Sequence, residues 1–260
     1  MKIYHMSGAG NDFMVIDARG KETELDFAKM AVELCAKTGA DGFMAVGESD
    51  VADFRLHFYN SDGSRGEMCG NGARCICRFA YDMGIAGAEM VVQTDAGLVP
   101  GWRLSEDLYR VKLNSPSVLE LRRREDSAYV ELGCPGVPHC VTEVPGLEFS
   151  QKEQLRKRGK ALRFDPAFPK GANVNFFCLT GEGTGRVLTY ERGVEDYTLA
   201  CGTGCGSVAA VLWESGRLPG GKITLENGGG ELSVTVAPEG EGKLSLLLEG
   251  PAVYLGEYTV

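Results

Sequence analysis

The sequence lacks the basic surplus, the long apolar runs and the cysteine spacing that mark several common classes of protein. Its 27 lysines and arginines stand against 36 aspartates and glutamates, so the formal net charge is −9. We expect no nucleic-acid partner, because phosphate binding needs a basic surface and the one basic run, residues 122–124, is short. No stretch approaches the length that spans a bilayer, so we expect no membrane partner either.

Residues 1–5 lack the apolar segment of a signal peptide, which predicts a cytoplasmic location. The nine cysteines are an odd number, and in a reducing compartment we expect free thiols rather than a disulfide framework. No two of them have Cys-x-x-Cys spacing. The sequence therefore disfavours a structural zinc site, and we expect no bound metal.

What is present is the composition of a folded protein with one or two domains. A chain of 260 residues, 43% of them hydrophobic, can bury one large core or two medium ones. Strand patterns predominate, and the clearest lie at residues 2–6, 13–17, 54–59, 89–94, 129–132 and 174–179. With only one or two helices in each half, the pattern predicts an α+β fold.

Two of the helices are predicted from periodicity and capping. Apolar residues recur at helical spacing within residues 26–37, which predicts an amphipathic helix there. Ser150 and Glu153 form a capping-box pattern, which predicts a short helix ending near Arg158.

The other two predicted helices begin at glycine-rich turns that resemble each other. Residues 69–72 read Cys-Gly-Asn-Gly, and residues 201–204 read Cys-Gly-Thr-Gly. We expect the first helix to bury Ile76, Phe79, Ala80 and Met83, and the second to bury Val208, Val211 and Leu212. The two cysteines, at 69 and 201, stand about half the chain length apart, which indicates an internal duplication. The predicted domains are residues 1–114 with 251–260, containing Cys69, and residues 115–250, containing Cys201.

A cysteine at such a helix start has a particular chemistry. The first N–H groups of a helix and its dipole hold an anion, and the same field stabilises a thiolate. If the two turns face each other, their backbone N–H groups could hold one carboxylate, while one thiolate removes the α-proton beside it. A thiol on the opposite face would return a proton with inverted configuration. The pattern thus predicts an amino-acid epimerase, although glycine-rich packing turns and a redox-active thiol pair would also explain it.

At these residues the chain resembles the diaminopimelate epimerase family, whose members are pyridoxal-independent isomerases with two thiols. The resemblance covers the whole length, and its motifs are residues 6–13, 60–64, 69–75, 190–193 and 201–204. It implies two similar domains, each a curved, mainly antiparallel sheet around a central helix, with the active site in the cleft between them. It also implies a small amino-acid substrate, conversion of LL- to meso-diaminopimelate in lysine and cell-wall precursor biosynthesis, and no cofactor.

The resemblance assigns roles by position. Cys69 and Cys201 look like the base and the acid, which exchange roles with the handedness of the substrate. The residues that match the family positions holding the reacting carboxylate are Gly70, Asn71, Gly202 and Thr203. The residues that match family positions for other substrate contacts are Asn11 at the reacting end of the substrate, and Asn60, Asn173 and Arg192 at its distal end. The residues that match family positions for tuning the thiols are Glu191, which is also a substrate-binding candidate, and His139.

Simpler structural roles remain open for several of these residues. Glu191 could form a surface pair with Arg192, and His139 could be a buried structural histidine. Asn11 and Asn60 lie in turns, where asparagine is common for backbone reasons. The resemblance further suggests a homodimer, with Tyr254 at a contact position.

One departure from the family pattern concerns the substrate. Val137 replaces the asparagine of the usual Gly-Asn-Pro-His, which removes an amide expected at the distal carboxylate. A related racemase of another amino acid, such as histidine, is therefore an alternative. Proline racemases and phenazine-type isomerases share the implied fold, but the latter lack the two thiols. A thiol redox sensor is a further alternative, and it would not exchange solvent deuterium into a substrate.

Overall fold

Over residues 1–66 and 68–259, which the computed structural model describes, strands dominate and helices are few. The strands are β1 (Lys2–Gly8), β2 (Asn11–Asp17), β3 (Gly42–Gly47), β4 (Phe54–Asn60), β5 (Glu89–Thr94), β6 (Gly97–Arg103), β7 (Leu108–Leu113), β8 (Pro116–Arg124), β9 (Ser127–Leu132), β10 (Val137–Glu143), β11 (Asn173–Gly181), β12 (Thr184–Glu191), β13 (Asp196–Tyr197), β14 (Lys222–Asn227), β15 (Gly230–Pro238), β16 (Leu244–Pro251) and β17 (Val253–Thr259). The helices are α1 (Phe27–Thr38), α2 (Gly70–Asp82), α3 (Lys152–Arg163) and α4 (Gly202–Glu214), with a 3₁₀ turn at Phe149–Gln151. This is the α+β class that the sequence predicts.

The chain divides into two compact units. The first comprises Met1–Lys112 and Glu249–Val260, and the second comprises Leu113–Leu248. In the first unit the strands pair in the order β17, β1, β2, β3, β4, β5, β6, β7. Only β2–β3 and β4–β5 are parallel, and α1 and α2 lie in these two connections because a parallel pair needs a crossover.

The second unit repeats this arrangement. Its strands pair in the order β8, β9, β10, β11, β12, β14, β15, and the short β13 pairs with β12. The parallel pairs are β10–β11 and β12–β14, and α3 and α4 occupy these two crossovers. The same succession of pairings and crossovers in both units confirms the predicted similarity of the two halves.

The second helix of each unit is its central helix. Residues 70–80 of α2 are all buried, and α2 packs against β1, β2, β3 and β6. In α4 nine residues are buried, and the helix packs against β8–β11, β14 and β15. Among the described residues, no helix combines the length and the apolarity needed to cross a membrane.

The first helix of each unit covers the outside of its sheet. In α1, Asp26 caps the N-terminus by accepting a hydrogen bond from the Lys29 backbone N–H at 3.0 Å, and Gly39 ends the helix with φ of 77°. Phe27, Ala31 and Cys35 form its buried stripe. This helix lies where the periodicity predicts it.

Four expectations about the helices are wrong. The capping box is formed by Glu148 and Gln151 rather than by Ser150 and Glu153, and it caps the 3₁₀ turn that precedes α3. The helix α3 continues past Arg158 to Arg163, with Gly159 packed against Tyr190, where an added Cβ would lie 3.2 Å from the ring. Met83, expected in the core, is the C-cap residue of α2 and is 39% exposed. Val211 is half-buried rather than buried.

Candidate active site

In the first unit, Cys69 is the N-cap residue of α2. Its backbone is extended, with φ −125° and ψ 122°, and its carbonyl accepts the first helical hydrogen bond from the Ala73 N–H at 2.7 Å. The residue is partly exposed, while Gly70 and Asn71 behind it are buried. Strand β1 passes so close to this turn that a Cβ at Gly8 would lie 2.7 Å from the Asn71 carbonyl oxygen. Close backbone approach therefore explains the glycine in the first motif.

Two asparagines that the sequence singles out meet beside this turn. The Asn71 side-chain N–H donates to the Asn11 side-chain oxygen, and the Asn11 N–H donates to Asp41 Oδ2 at 3.2 Å. The Asp41 carbonyl also accepts a hydrogen bond from the Ser61 N–H at 3.2 Å, directly after Asn60. Asp41 thus ties the turn that carries Asn11 to the turn that carries Asn60.

Asn60 also stabilises its own turn. Its side-chain N–H donates to Ser64 Oγ at 2.9 Å, and its carbonyl accepts a hydrogen bond from Gly63 N–H at 3.0 Å. The residue is exposed at the end of β4. The turn-forming role is therefore observed at Asn60, and any substrate contact would be additional.

In the second unit, Cys201 is the N-cap residue of α4 with nearly the same backbone conformation as Cys69, φ −126° and ψ 106°. Thr203 Oγ1 lies 3.5 Å from its Sγ. The thiol is buried, and burial raises its pKa, with a further contribution from the charge of Glu191. Thr203 and the Gly204 N–H act in the opposite direction but are outweighed. The helix start therefore does not make Cys201 a thiolate at neutral pH, contrary to the expectation from its position.

An amide network that the sequence analysis missed lies under the first turn of α4. Asn175 donates to the Cys140 carbonyl at 3.1 Å, and its side-chain oxygen accepts a hydrogen bond from Thr189 Oγ1 at 2.9 Å. A Cβ at Gly204 would lie 2.2 Å from that oxygen. The spacing of Asn173 and Asn175 in a strand could have indicated this network, since residues i and i+2 share a face.

His139 belongs to the same network and is fully buried in β10. Asn175 N–H faces His139 Nδ1 at 3.1 Å, and the other contacts of this amide fix its orientation, so Nδ1 is the acceptor and the proton lies on Nε2. Among the described residues, Nε2 has no hydrogen-bond partner. Burial, with a smaller contribution from the charge of Arg192, lowers the pKa of His139 to about 3. The imidazole is therefore neutral near pH 7.

Asn173 begins β11, Glu191 ends the adjacent β12, and Arg192 follows in the next turn. Asn173 Oδ1 accepts a hydrogen bond from the Arg192 backbone N–H at 2.8 Å, and its side-chain N–H faces the Pro138 carbonyl at 3.3 Å. The exposed Arg192 guanidinium donates to the Lys170 carbonyl at 3.1 Å. Glu191 accepts a hydrogen bond from Thr198 Oγ1 at 2.9 Å. Val137, the departure from the family motif, is half-buried at the start of β10.

The structure thus brings the sequence-predicted residues together in two half-sites, each within its own unit. The first half-site surrounds Cys69 and contains Asn11, Asn60, Gly70 and Asn71. The second surrounds Cys201 and contains His139, Asn173, Glu191, Arg192, Gly202 and Thr203. Tyr254 belongs to neither, since its ring packs against Tyr4 at 5.9 Å and lies 5.0 Å from the Arg78 guanidinium carbon.

One cavity of the first unit and the nine thiols were candidates for further chemistry among the described residues. A cavity of about 690 Å³ in the first unit is lined by Arg55, His57 and Arg65, but both arginines are paired with Asp95. All nine cysteines are free thiols. In the part of the chain that the structure describes, no cluster of three His, Cys, Asp or Glu side chains could hold a metal ion.

Comparison with known proteins gives a consistent result. The family model described as Diaminopimelate epimerase matches residues 3–115 and 134–255. A diaminopimelate epimerase of Aquifex aeolicus is 38% identical over 250 residues, which are 89% of this chain and 88% of the relative. One from Flavobacterium psychrophilum is 31% identical over 264 residues, which cover 100% of both chains.

Solved structures share the fold at low sequence identity. A phenazine biosynthesis protein of Bacillus anthracis has a TM-score of 0.75 at 17% identity, covering 100% of this chain and 98% of its own. A hydroxyproline epimerase of Agrobacterium vitis, with trans-4-hydroxy-L-proline bound, has a TM-score of 0.73 at 18% identity, covering 99% and 91%. At these identities the likeness concerns the fold alone.

Proposed function

The chain belongs to the diaminopimelate epimerase family, and from this premise we propose that it interconverts LL- and meso-diaminopimelate by moving one α-proton between two thiols. The observation that carries the proposal is the pair of cysteine-capped helices. Cys69 and Cys201 stand at the starts of α2 and α4 with nearly equal backbone angles, and each helix is the buried centre of its unit. Inversion of a carbon by two bases needs one proton carrier on each face, and the duplicated turn supplies two cysteines for this task.

The helix starts would hold the carboxylate beside the reacting carbon. The first N–H groups of an α-helix have no partner within the helix, and the macrodipole adds partial positive charge. We assign this contact to Gly70, Asn71, Gly202 and Thr203. As the α-proton leaves, negative charge spreads onto the carboxylate, and fixed donors stabilise that charge by roughly 10²–10³-fold in rate per donor.

The thiols would carry the proton. One sulfur, as thiolate, takes the proton from the α-carbon, and the other, as thiol, donates a proton to the opposite face; the reverse reaction exchanges these roles. The raised pKa of Cys201 supports its starting as the protonated partner. General acid–base transfer of this kind contributes roughly 10²–10⁴-fold.

Glu191 and His139 would tune the second thiol in different ways. The charge of Glu191 raises the pKa of Cys201, which favours the thiol over the thiolate. His139 is neutral near pH 7, so any influence on the thiol comes from its dipole and from the orientation of Asn175 rather than from a positive charge.

Recognition of the substrate ends would use the remaining side chains. We assign Asn11 to the reacting end, and Asn60, Asn173 and Arg192 to the distal end. Asn173 and Arg192 are joined by a hydrogen bond of 2.8 Å, and a guanidinium with a neighbouring amide suits a carboxylate. We further propose that the enzyme acts in the cytoplasm without metal or cofactor, as a homodimer with Tyr254 at the contact.

The decisive experiment is deuterium exchange. We expect the protein to wash solvent deuterium into the α-position of LL-diaminopimelate, and Cys69→Ala or Cys201→Ala to abolish racemisation while the protein stays folded. Cys134→Ala, which removes an exposed thiol outside both half-sites, is the matched control and should retain full activity. Near-normal turnover in both directions by either cysteine variant would remove that cysteine from the mechanism.

A substrate panel separates the alternatives. Exchange into histidine but not diaminopimelate would identify a different racemase, to which Val137 would then be relevant. No exchange with any of diaminopimelate, histidine, lysine or glutamate, together with reversible oxidation of Cys69 and Cys201, would favour a redox sensor.

A further inference from the structure

Arg74 is a fully buried arginine in the second turn of α2. Its side chain has 0% exposure. Its Nη1 donates to the Gly70 carbonyl at 3.2 Å, its Nη2 to Asn71 Oδ1 at 2.9 Å, and its Nε to the Pro251 carbonyl at 3.3 Å. A buried guanidinium is unfavourable unless its donors are satisfied, and here each of its three nitrogens donates to an oxygen of the chain. Two of its acceptors, Gly70 and Asn71, directly follow Cys69.

Arg74 begins a chain of hydrogen bonds that ends at Asp41. Asn71 accepts from Arg74 and donates to Asn11, which donates to Asp41 Oδ2 at 3.2 Å. The same Asp41 oxygen accepts a hydrogen bond from the Asp12 N–H at 2.9 Å. An arginine can only donate, and an ionised carboxylate can only accept. The two ends of the chain therefore fix which way both amides point.

We propose that Arg74 is a positioning residue of the epimerase reaction, which together with Asp41 sets the amide directions of Asn71 and Asn11 and holds the first turn of α2 for Cys69. This inference rests on the proposed function. It concerns two residues, Arg74 and Asp41, to which the proposed function assigns no substrate contact.

The duplicated turn shows that this device is specific to Cys69. The position of α4 that corresponds to Arg74 is Gly206, and a Cβ there would meet the side chain of Leu113 at 2.7 Å. An apolar contact thus replaces the buried charge. A fixed positive charge favours the thiolate form of a nearby cysteine. The neighbouring Cys75 senses both groups: burial raises its pKa to about 12, while the Arg74 charge acts to lower it and Cys69 acts to raise it.

The test compares two buried arginines of the same helix. Arg74→Met removes the guanidinium group and keeps an apolar side chain. Arg74→Lys keeps the positive charge without the planar guanidinium donors. Arg78→Met is the matched control, because Arg78 is 9% exposed one turn later and binds Asp82, Asp107 and the Ala252 carbonyl instead. We expect Arg74→Met to lower kcat for α-deuterium exchange by ~10²-fold and Arg74→Lys to recover about tenfold of it, since misplaced contacts cost this much.

Alkylation by iodoacetamide gives a readout that needs no substrate. We expect Arg74→Met to slow alkylation of Cys69 about tenfold and to leave Cys201 unchanged, because alkylation proceeds through the thiolate and a nearby positive charge favours that form. If Arg74 served only the stability of the fold, its loss would change the alkylation of Cys69 and Cys201 alike. That result, or an equal loss of kcat in Arg78→Met, would overturn the proposal.

Asp41 tests the other end of the chain if Arg74→Met does not fold. Asp41→Asn still offers an oxygen to Asn11 and Asp12 and should keep kcat/KM within about threefold, whereas Asp41→Ala should lower it by about tenfold. Wild-type behaviour of Asp41→Ala would overturn the inference. If the wild type exchanged no deuterium into diaminopimelate, the proposed function would fail, while the alkylation rates would still decide the role of Arg74.

Discussion

Gly204 and Gly72 occupy the same position in the two duplicated helix starts, yet alanine should be harmful only at Gly204. A Cβ at Gly204 would lie 2.2 Å from Asn175 Oδ1 and 3.1 Å from Thr189 Oγ1. At Gly72 the nearest atoms are Met44 Sδ at 3.1 Å and the Phe13 ring at 3.5 Å. A methionine can move aside, whereas Asn175 is held by several hydrogen bonds.

The expected cost follows from these contacts. Gly204→Ala either displaces α4, at about 1–3 kcal/mol for overpacking, or breaks the bond between Asn175 and Thr189, at a similar cost for a buried polar group. The helix gains at most about 1 kcal/mol from alanine. We therefore expect a net loss of about 1–3 kcal/mol in the free energy of unfolding, together with a fall of ~10–10² in kcat, because Cys201 moves with the turn. Gly72→Ala should change stability by less than about 1 kcal/mol.

Urea unfolding and α-deuterium exchange measure the two effects separately. We expect Gly204→Ala to have a lower free energy of unfolding and a lower exchange rate than the wild type. Gly72→Ala should be near the wild type in both quantities. If Gly204→Ala were as stable and as active as Gly72→Ala, the Asn175 network would not constrain the first turn of α4.

Three further predictions concern the distal contact and the titration of buried groups. Arg192→Leu should raise KM roughly 10–10²-fold for diaminopimelate and much less for a monocarboxylic amino acid, with the remote Arg217→Leu as control; equal effects on both substrates would mean that Arg192 does not contact the distal carboxylate. Burial raises the pKa of Cys75 and Cys77 to about 12 from an unfolded value of 9.0. Their contribution to stability is therefore complete below pH 9 and is lost as the pH rises above it, at ~1.4 kcal/mol per pH unit and thiol. The urea midpoint should fall between pH 8 and 10.5, and this fall should be smaller in Cys77→Ala. Burial lowers the pKa of His139 to about 3 from 6.5. Its contribution to stability is therefore present above pH 6.5 and declines as the pH falls towards 3, again at ~1.4 kcal/mol per pH unit. The melting temperature of His139→Gln should fall less steeply in acid than that of the wild type, and an equal fall would mean that His139 is not buried in its neutral form.

Local sequence patterns predicted the elements of this fold well because most of them are set locally. Strand β5 coincides with the predicted 89–94, and the starts of α2 and α4 follow directly from their Cys-Gly turns. Alternation and glycine placement determine these features within a few residues. The predicted end of α3 is wrong because contacts between residues far apart in the sequence matter there, such as the packing of Gly159 against Tyr190.

The half-sites could be predicted only in part. The cysteines and their turns are visible in the sequence, but the residues that orient them act over long separations. Asn11 and Asp41 are 30 positions apart, and Arg74 and the Pro251 carbonyl are 177 positions apart. The protonation state of Cys201 could not be predicted either, because the helix start and burial shift its pKa in opposite directions and only the structure shows that burial is larger.

The two duplicated turns have nearly the same backbone conformation but different charged and polar side chains around their cysteines. The proposed reaction is compatible with both the likeness and the difference. In the proposed reaction each turn presents N–H groups to a carboxylate, and the nearly equal extended backbone of the two cysteines fits this shared task. The surroundings differ, with Arg74 behind Cys69 and with Thr203 beside Cys201. Because an enzyme returns to its starting state after each cycle, unequal thiols cannot alter the equilibrium between two substrate isomers. Their inequality can appear only in how kcat and KM are divided between the forward and reverse directions, where each 1.4 kcal/mol corresponds to about tenfold.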